Sequence, residues 1–144
     1  MSNAHCGPRQ IAEQIVLDHL IALGLEASLA PYASIYDIDA QGLRIEVKHG
    51  RMRADGRWSM DNHQSLTDVH IDAYVIVLDD VPSLRRGELF FIILRGPITN
   101  RVIQFSPQDL DDGGRLFNSL ENWQLIRQIH DEKFRHRKPK PFGV

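Results

Sequence analysis

Residues Ser34 to His49 read SIYDIDAQGLRIEVKH, and the alternation in this stretch decides the fold. Tyr36, Ile38 and Ala40 take one parity before a Gln41-Gly42 turn signal, and Leu43, Ile45 and Val47 take one parity after it. Asp37 and Asp39 take the other parity, with Arg44, Glu46 and Lys48. Strand side chains alternate faces, and residues directly opposite in an antiparallel pair share a face. A two-residue loop at Gln41-Gly42 therefore predicts the pairs Ala40–Leu43, Asp39–Arg44, Ile38–Ile45 and Asp37–Glu46. Every apolar residue then lands on one face and every charged one on the other.

That register sets two carboxylates, Asp37 and Glu46, across from each other, which is destabilising unless something neutralises them. A divalent cation does so, since two carboxylates and water are normal ligands for Mg²⁺. Lys48 lies two residues past Glu46 on the same face, where an ammonium can position an attacking water and offset charge on a reacting phosphate. Asp39, with Arg44 opposite, reads as an ordinary cross-strand ion pair. A charged hairpin face also suits a solvated surface, and Glu-x-Lys alone carries little information. A second, looser match, Asp131-Glu132-Lys133, falls in an expected helix and is set aside.

Outward from the hairpin, Pro8–Leu23 reads as a helix with Ala12, Ile15, Val16, Leu20 and Leu23 as its apolar stripe and Gly24 as its stop. Extended pieces are expected near Glu26–Pro31, Ser34–Ala40 and Leu43–Lys48. Gly50–Trp58 reads as a basic loop, and Asp61 followed by Gln64 has capping-box spacing, predicting a short helix through about His70. Ala73–Leu78 is a continuous apolar run suited to a strand buried on both faces. Glu88–Leu94 and Arg101–Phe105 read as further strands. Leu116–Ile129 reads as a closing helix that buries Leu116, Leu120, Trp123, Ile126 and Ile129. The organisation expected is one domain over residues 1–132 and a basic, proline-containing tail over 133–144.

The 144 residues suit a single domain, and 42% apolar with 25% charged residues is ordinary for a folded globular chain. One cysteine, Cys6, allows no internal disulfide, so a cytoplasmic location is expected. No apolar run approaches the roughly 18 residues of a membrane span, and no export signal is read at the start. A net charge of −2 argues against coating nucleic acid by bulk attraction but not against a nuclease, whose site needs carboxylates. Positive charge is written as 13 arginines against 4 lysines, and Lys48 is the one lysine before residue 133. No nucleophile elbow, phosphate-binding loop or dinucleotide fingerprint is present.

The residues YDI…IEVK, with eight residues between Asp37 and Glu46-Val47-Lys48, resemble the core of the PD-(D/E)xK nuclease superfamily, the restriction-endonuclease-like fold. The resemblance covers roughly Pro8–Leu78, with Tyr36 where the family name has proline. It implies an α/β (α+β) core of helix, three antiparallel strands, helix and strand, here with a C-terminal strand and helix extension. It further implies a Mg²⁺- or Mn²⁺-dependent endonuclease that hydrolyses DNA phosphodiesters, of restriction, repair or recombination type. Asp37 and Glu46 would hold the metal with the Val47 carbonyl as a further ligand, Lys48 would assist water activation, and Glu13 on the first helix would be a third acidic group.

Several residues carry two readings. Glu13 equally suits a helix surface near a positive dipole end. Gln64 is assigned to capping ahead of the site. Arg51, Arg53 and Arg57 suit backbone phosphates or a solvated loop equally well. Trp58 is assigned to the core ahead of base stacking, and Asp72 to a strand edge. His49, His63 and His70 lack zinc spacing. DNA is the expected partner, with a homodimer suited to cutting both strands and a targeting protein as a further partner. The alternative is a silent nuclease fold, or a small α/β interaction module acting through a protein or nucleic-acid partner.

Overall fold

The computed structural model describes residues 8–31, 33–78 and 89–135. The first helix, α1 (Pro8–Ala22), buries Ala12, Val16, Leu17 and Leu20. Gly24, at φ +90°, ends it: its N–H donates to the Ile21 carbonyl while that of Leu25 donates to Leu20, the two bonds of a Schellman cap. Strands β1 (Ala27–Leu29), β2 (Ile38–Ala40) and β3 (Leu43–Gly50) follow, each antiparallel to the next. After β4 (Trp58–Asp61), β5 (Ala73–Leu78) runs parallel to β3, and β6 (Phe90–Arg95) pairs antiparallel with β5. The sheet order is β1-β2-β3-β5-β6. β7 (Val102–Phe105) pairs with β4 in a separate antiparallel ribbon, and α2 (Gln124–Phe134) closes the described chain.

The sheet divides two cores. On one face Ile38, Ala40, Leu43, Ile45 and Val47 pack with Val75 and Val77 against both helices. On the other, Tyr74, Ile76, Leu78 and Ile92 lie under Trp58, Met60, Ile103 and Phe105 of the ribbon. β5 is covered on both sides and buried at all six positions, as its unbroken apolar run requires. The fold is α+β, with two α-helices and a mostly antiparallel sheet among the described residues.

The hairpin turn is of the expected kind: Gln41 and Gly42 have φ of 49° and 90°, the left-handed pair that a two-residue type I′ turn needs. A side chain at Gly42 would also strike the Phe134 ring, 2.6 Å from an ideal Cβ. Three expected pairs form, Ala40–Leu43, Asp39–Arg44 and Ile38–Ile45. The fourth, Asp37–Glu46, does not. β2 begins at Ile38, and the Asp37 N–H donates to the Ile45 carbonyl at 3.1 Å instead.

Three other expectations are corrected. The connection from β3 to β5 contains β4 and a single 3-10 turn, His63–Leu66, in place of a helix. Trp58 and Met60 alternate with Ser59 and Asp61, so this segment buries one side against β7, and buried Asn62 then ties the chain to the Ile98 and Asn100 carbonyls at 2.8 Å each. The closing helix starts at Gln124, because Leu116 and Leu120 pack into the ribbon-side core, whereas Ile126 and Ile129, with Trp123 and Leu125, pack on the helical side. Finally, α2 continues past residue 132. Lys133 Nζ donates to the Gly42 carbonyl at 3.0 Å and to Asp72 Oδ2 at 2.9 Å, so it fastens the helix to the hairpin. The strand start at Glu88 and the tail residues Arg137, Lys138 and Lys140 lie outside the described residues.

Candidate active site

Asp37, Glu46 and Lys48 are brought together by the end of β2 and the middle of β3. Where β2 bends away, the Asp37 carboxylate takes over part of the ladder: its Oδ2 accepts the Val47 N–H at 2.8 Å. Glu46 points to the ribbon side of the sheet, beside Tyr74 of β5, and is 2% exposed. Its Oε2 lies 3.2 Å from Lys48 Nζ. Its Oε1 is buried and has no hydrogen-bond partner among the described residues. Leaving a buried carboxyl oxygen unsatisfied costs free energy, on the order of 1–3 kcal/mol or more.

The same environment acts on its proton. Burial, and then the charge of Asp37, push the Glu46 carboxyl up to about 8, while Lys48 pulls the other way and does not prevail. A carboxyl held this far above its ordinary range, next to a second carboxylate and a lysine, marks a place where a cation would be welcome. No group of three or more His, Cys, Asp or Glu side chains arranged for a metal occurs among the described residues. The protein side therefore offers two carboxylates, with main-chain oxygen and water left to complete a hard-cation shell.

Gln64 is the residue that sequence reasoning misassigned. It makes no cap, since Asn62 precedes the 3-10 turn and no side-chain capping bond forms there. Instead its Oε1 accepts from Lys48 Nζ at 3.0 Å, and its Nε2 donates to the Ile35 carbonyl at 3.3 Å. The amide orientation is dictated by chemistry, because an ammonium only donates and a carbonyl only accepts. Gln64 thus ties Lys48 to the segment entering Asp37. A cleft of about 300 Å³ opens here, walled by Glu46, Lys48 and Gln64 with His49, Ser59, Asp61 and His63. His49 also lines this wall, although it alternates with Lys48 along β3.

The remaining candidates separate. Glu13 is half-buried on α1, which packs on the helical side of the sheet, and it is not grouped with the two carboxylates. Arg51, Arg53 and Arg57 are exposed in the loop leaving β3, with Arg53 3.5 Å from Asp55. Trp58 is fully buried and contributes to the core. Asp72, expected at a strand edge, is 5% exposed and heavily bonded: His70 Nε2 at 3.2 Å, Lys133 Nζ at 2.9 Å and the Arg44 N–H at 2.8 Å. Asp39 and Arg44 are register partners yet form no ion pair among the described residues; Asp39 Oδ1 accepts the Gly42 N–H at 3.2 Å instead.

The arrangement of elements is similar to that of a solved bacterial homing endonuclease, I-Ssp6803I, with a TM-score of 0.67 over 89% of this chain and 94% of that one. The chain has a nuclease-like fold. Sequence identity over the match is 18%, so the likeness lies in the fold. No protein-family model and no curated relative matches the chain. No described helix is long and apolar enough to cross a membrane.

Proposed function

We propose that this chain is a metal-dependent endonuclease of the PD-(D/E)xK type, hydrolysing DNA phosphodiester bonds with Mg²⁺ or Mn²⁺. The observation that carries the reading is the buried Glu46 carboxyl, one oxygen without a partner, set against Asp37 and Lys48 on a nuclease-like fold. Asp37 and Glu46 would hold the cation. The Val47 carbonyl is the third ligand we assign: its N–H goes to Asp37, and a strand residue's N–H and C=O leave the backbone on the same edge. Once bound, the cation supplies Lewis-acid polarisation of the phosphoryl oxygen and lowers the pKa of a coordinated water.

The chain's own groups do the rest. Lys48 has three N–H donors, of which Glu46 and Gln64 engage two, leaving one for a phosphate oxygen or the attacking water. Because Gln64 and Glu46 hold it from two sides, its ammonium is oriented before substrate arrives, which is where electrostatic catalysis draws its strength. Arg51, Arg53 and Arg57 leave the site on the loop after β3 and contact backbone phosphates. Glu13 is an outlying helper.

The net charge of −2 favours a second reading, a silent nuclease fold acting through a partner. Incubating the chain with supercoiled plasmid and with single-stranded and branched oligonucleotides, in Mg²⁺ and in Mn²⁺, separates the two. The nuclease reading predicts nicking or linearisation that chelator stops and Lys48→Ala lowers by a thousandfold or so. Intact DNA in every combination would contradict it and leave the silent module.

A further inference from the structure

The even positions of β3 form a row on the ribbon side of the sheet: Arg44, Glu46, Lys48. Two of these belong to the site described above, whereas Arg44 has no catalytic assignment. It is exposed, and its guanidinium carbon sits 5.5 Å from the centroid of the Tyr36 ring. Tyr36 is half-buried against the ribbon-side core and immediately precedes Asp37. Arg44 therefore lies two residues before Glu46 on the row that Lys48 continues two residues after it, and its partner Tyr36 adjoins Asp37.

Three features separate Arg44 from an ordinary surface arginine. Its backbone is clamped at both polar groups by one residue: its N–H donates to Asp72 Oδ2 at 2.8 Å, and its carbonyl accepts the Asp72 N–H at 2.9 Å. Its guanidinium carbon lies over an aromatic face, a contact that restrains the side chain and still leaves N–H donors for a further partner. And the carboxylate facing it in register, Asp39, is turned to the Gly42 N–H, so the positive charge is not neutralised from across the ladder. A planar, charged fork, fixed at its base and beside a hydrolytic site, matches the geometry of a phosphate group.

We propose that Arg44, stacked on Tyr36, docks a DNA backbone phosphate next to the one attacked at Asp37 and Glu46. This rests on the DNA-hydrolase reading above and assigns the adjoining phosphate subsite within it. Arg44 is a substrate-binding residue and takes no part in bond breaking. Its stacked mount lowers the side-chain entropy lost on binding.

The test is fluorescence anisotropy of a labelled duplex of about 30 base pairs with the full chain in chelator, between 50 and 200 mM salt. Removing one phosphate contact predicts several-fold weaker binding by Arg44→Ala and a salt slope smaller by about 0.9. Arg44→Lys should keep the slope and lose part of the affinity, because an ammonium cannot present the stacked fork. Tyr36→Phe should bind as the parent does, and Tyr36→Ala more weakly. Arg127→Ala, which removes the same charge from α2 on the helical side of the sheet, should leave the slope unchanged. If the parent chain binds and Arg44→Ala matches it in affinity and slope, the Arg44 subsite is refuted while the DNA reading stands. If the parent chain binds no DNA at 50 mM salt, both fall together.

Discussion

Glu46 in β3 and Asp72, just before β5, are both buried carboxylates, and they are treated in opposite ways. Asp72, 5% exposed, receives Lys133, His70 and a main-chain N–H. Glu46, 2% exposed, has Lys48 beside one oxygen and no donor to the other, and after burial itself Asp37 raises its pKa both by charge and by a side-chain hydrogen bond to the protonated form. The first is a structural joint between α2, the hairpin turn and β5. The second has its charged form disfavoured by burial and by Asp37, which suits the cation site proposed above. Burial alone does not distinguish the two residues; the satisfaction of each oxygen does.

The two carboxylates should differ most in their response to pH. The Glu46 carboxyl is pushed up to about 8 from 4.5, so between these values the folded chain holds a proton that the unfolded chain has released. Its contribution to stability is complete below about pH 4.5 and is lost as pH rises toward 8, by at most on the order of 4 kcal/mol. Thermal unfolding in chelator should show a lower midpoint at pH 8 than at pH 5. Glu46→Gln should remove most of that difference and be more stable than the parent at pH 8. A parent chain with the same midpoint at both values would mean that Glu46 is solvated like any surface carboxylate.

Asp72→Asn should do the reverse. It removes the anion between Lys133 and His70 and should destabilise the chain by about 2–3 kcal/mol in denaturant unfolding, since a partly buried ammonium is left without its counterion. Cleavage measured well below the unfolding midpoint should change little by comparison. Loss of cleavage without loss of stability would erase the distinction between the two carboxylates.

Gln64→Ala gives the smallest effect and the finest reading. Lys48 keeps Glu46 and loses its second anchor, so kcat should fall about tenfold with KM nearly unchanged, as expected of a group that orients another. An equal rise in KM would instead make Gln64 a substrate-binding residue.

The hairpin was legible because its information is local. Strict alternation and a two-residue turn leave one register, and Gln41 and Gly42 adopt the left-handed pair that register needs. The same local pattern overshot at Asp37, where side-chain chemistry bends the strand and the carboxylate replaces a ladder contact. Gln64 was misread because Asp61-x-x-Gln64 imitates a cap, whereas its partner Lys48 lies 16 residues away in sequence. Asp72 was read as an edge residue because Lys133 is 61 residues distant. The alternation of Trp58, Ser59, Met60 and Asp61 was present in the sequence, but four residues become a strand only when β7 supplies the other half. Periodicity reveals faces, and ion pairs across the fold leave no such trace.

A metal centre formed by Asp37 and Glu46 is open to calorimetric titration with Mn²⁺ at pH 8. The account predicts a one-site isotherm for the parent chain that is absent from Glu46→Ala, with proton release on binding because the cation displaces the proton held by Glu46. Identical heats from parent and variant would contradict the assignment of this site. So would silence from the parent both alone and with a non-cleavable oligonucleotide present.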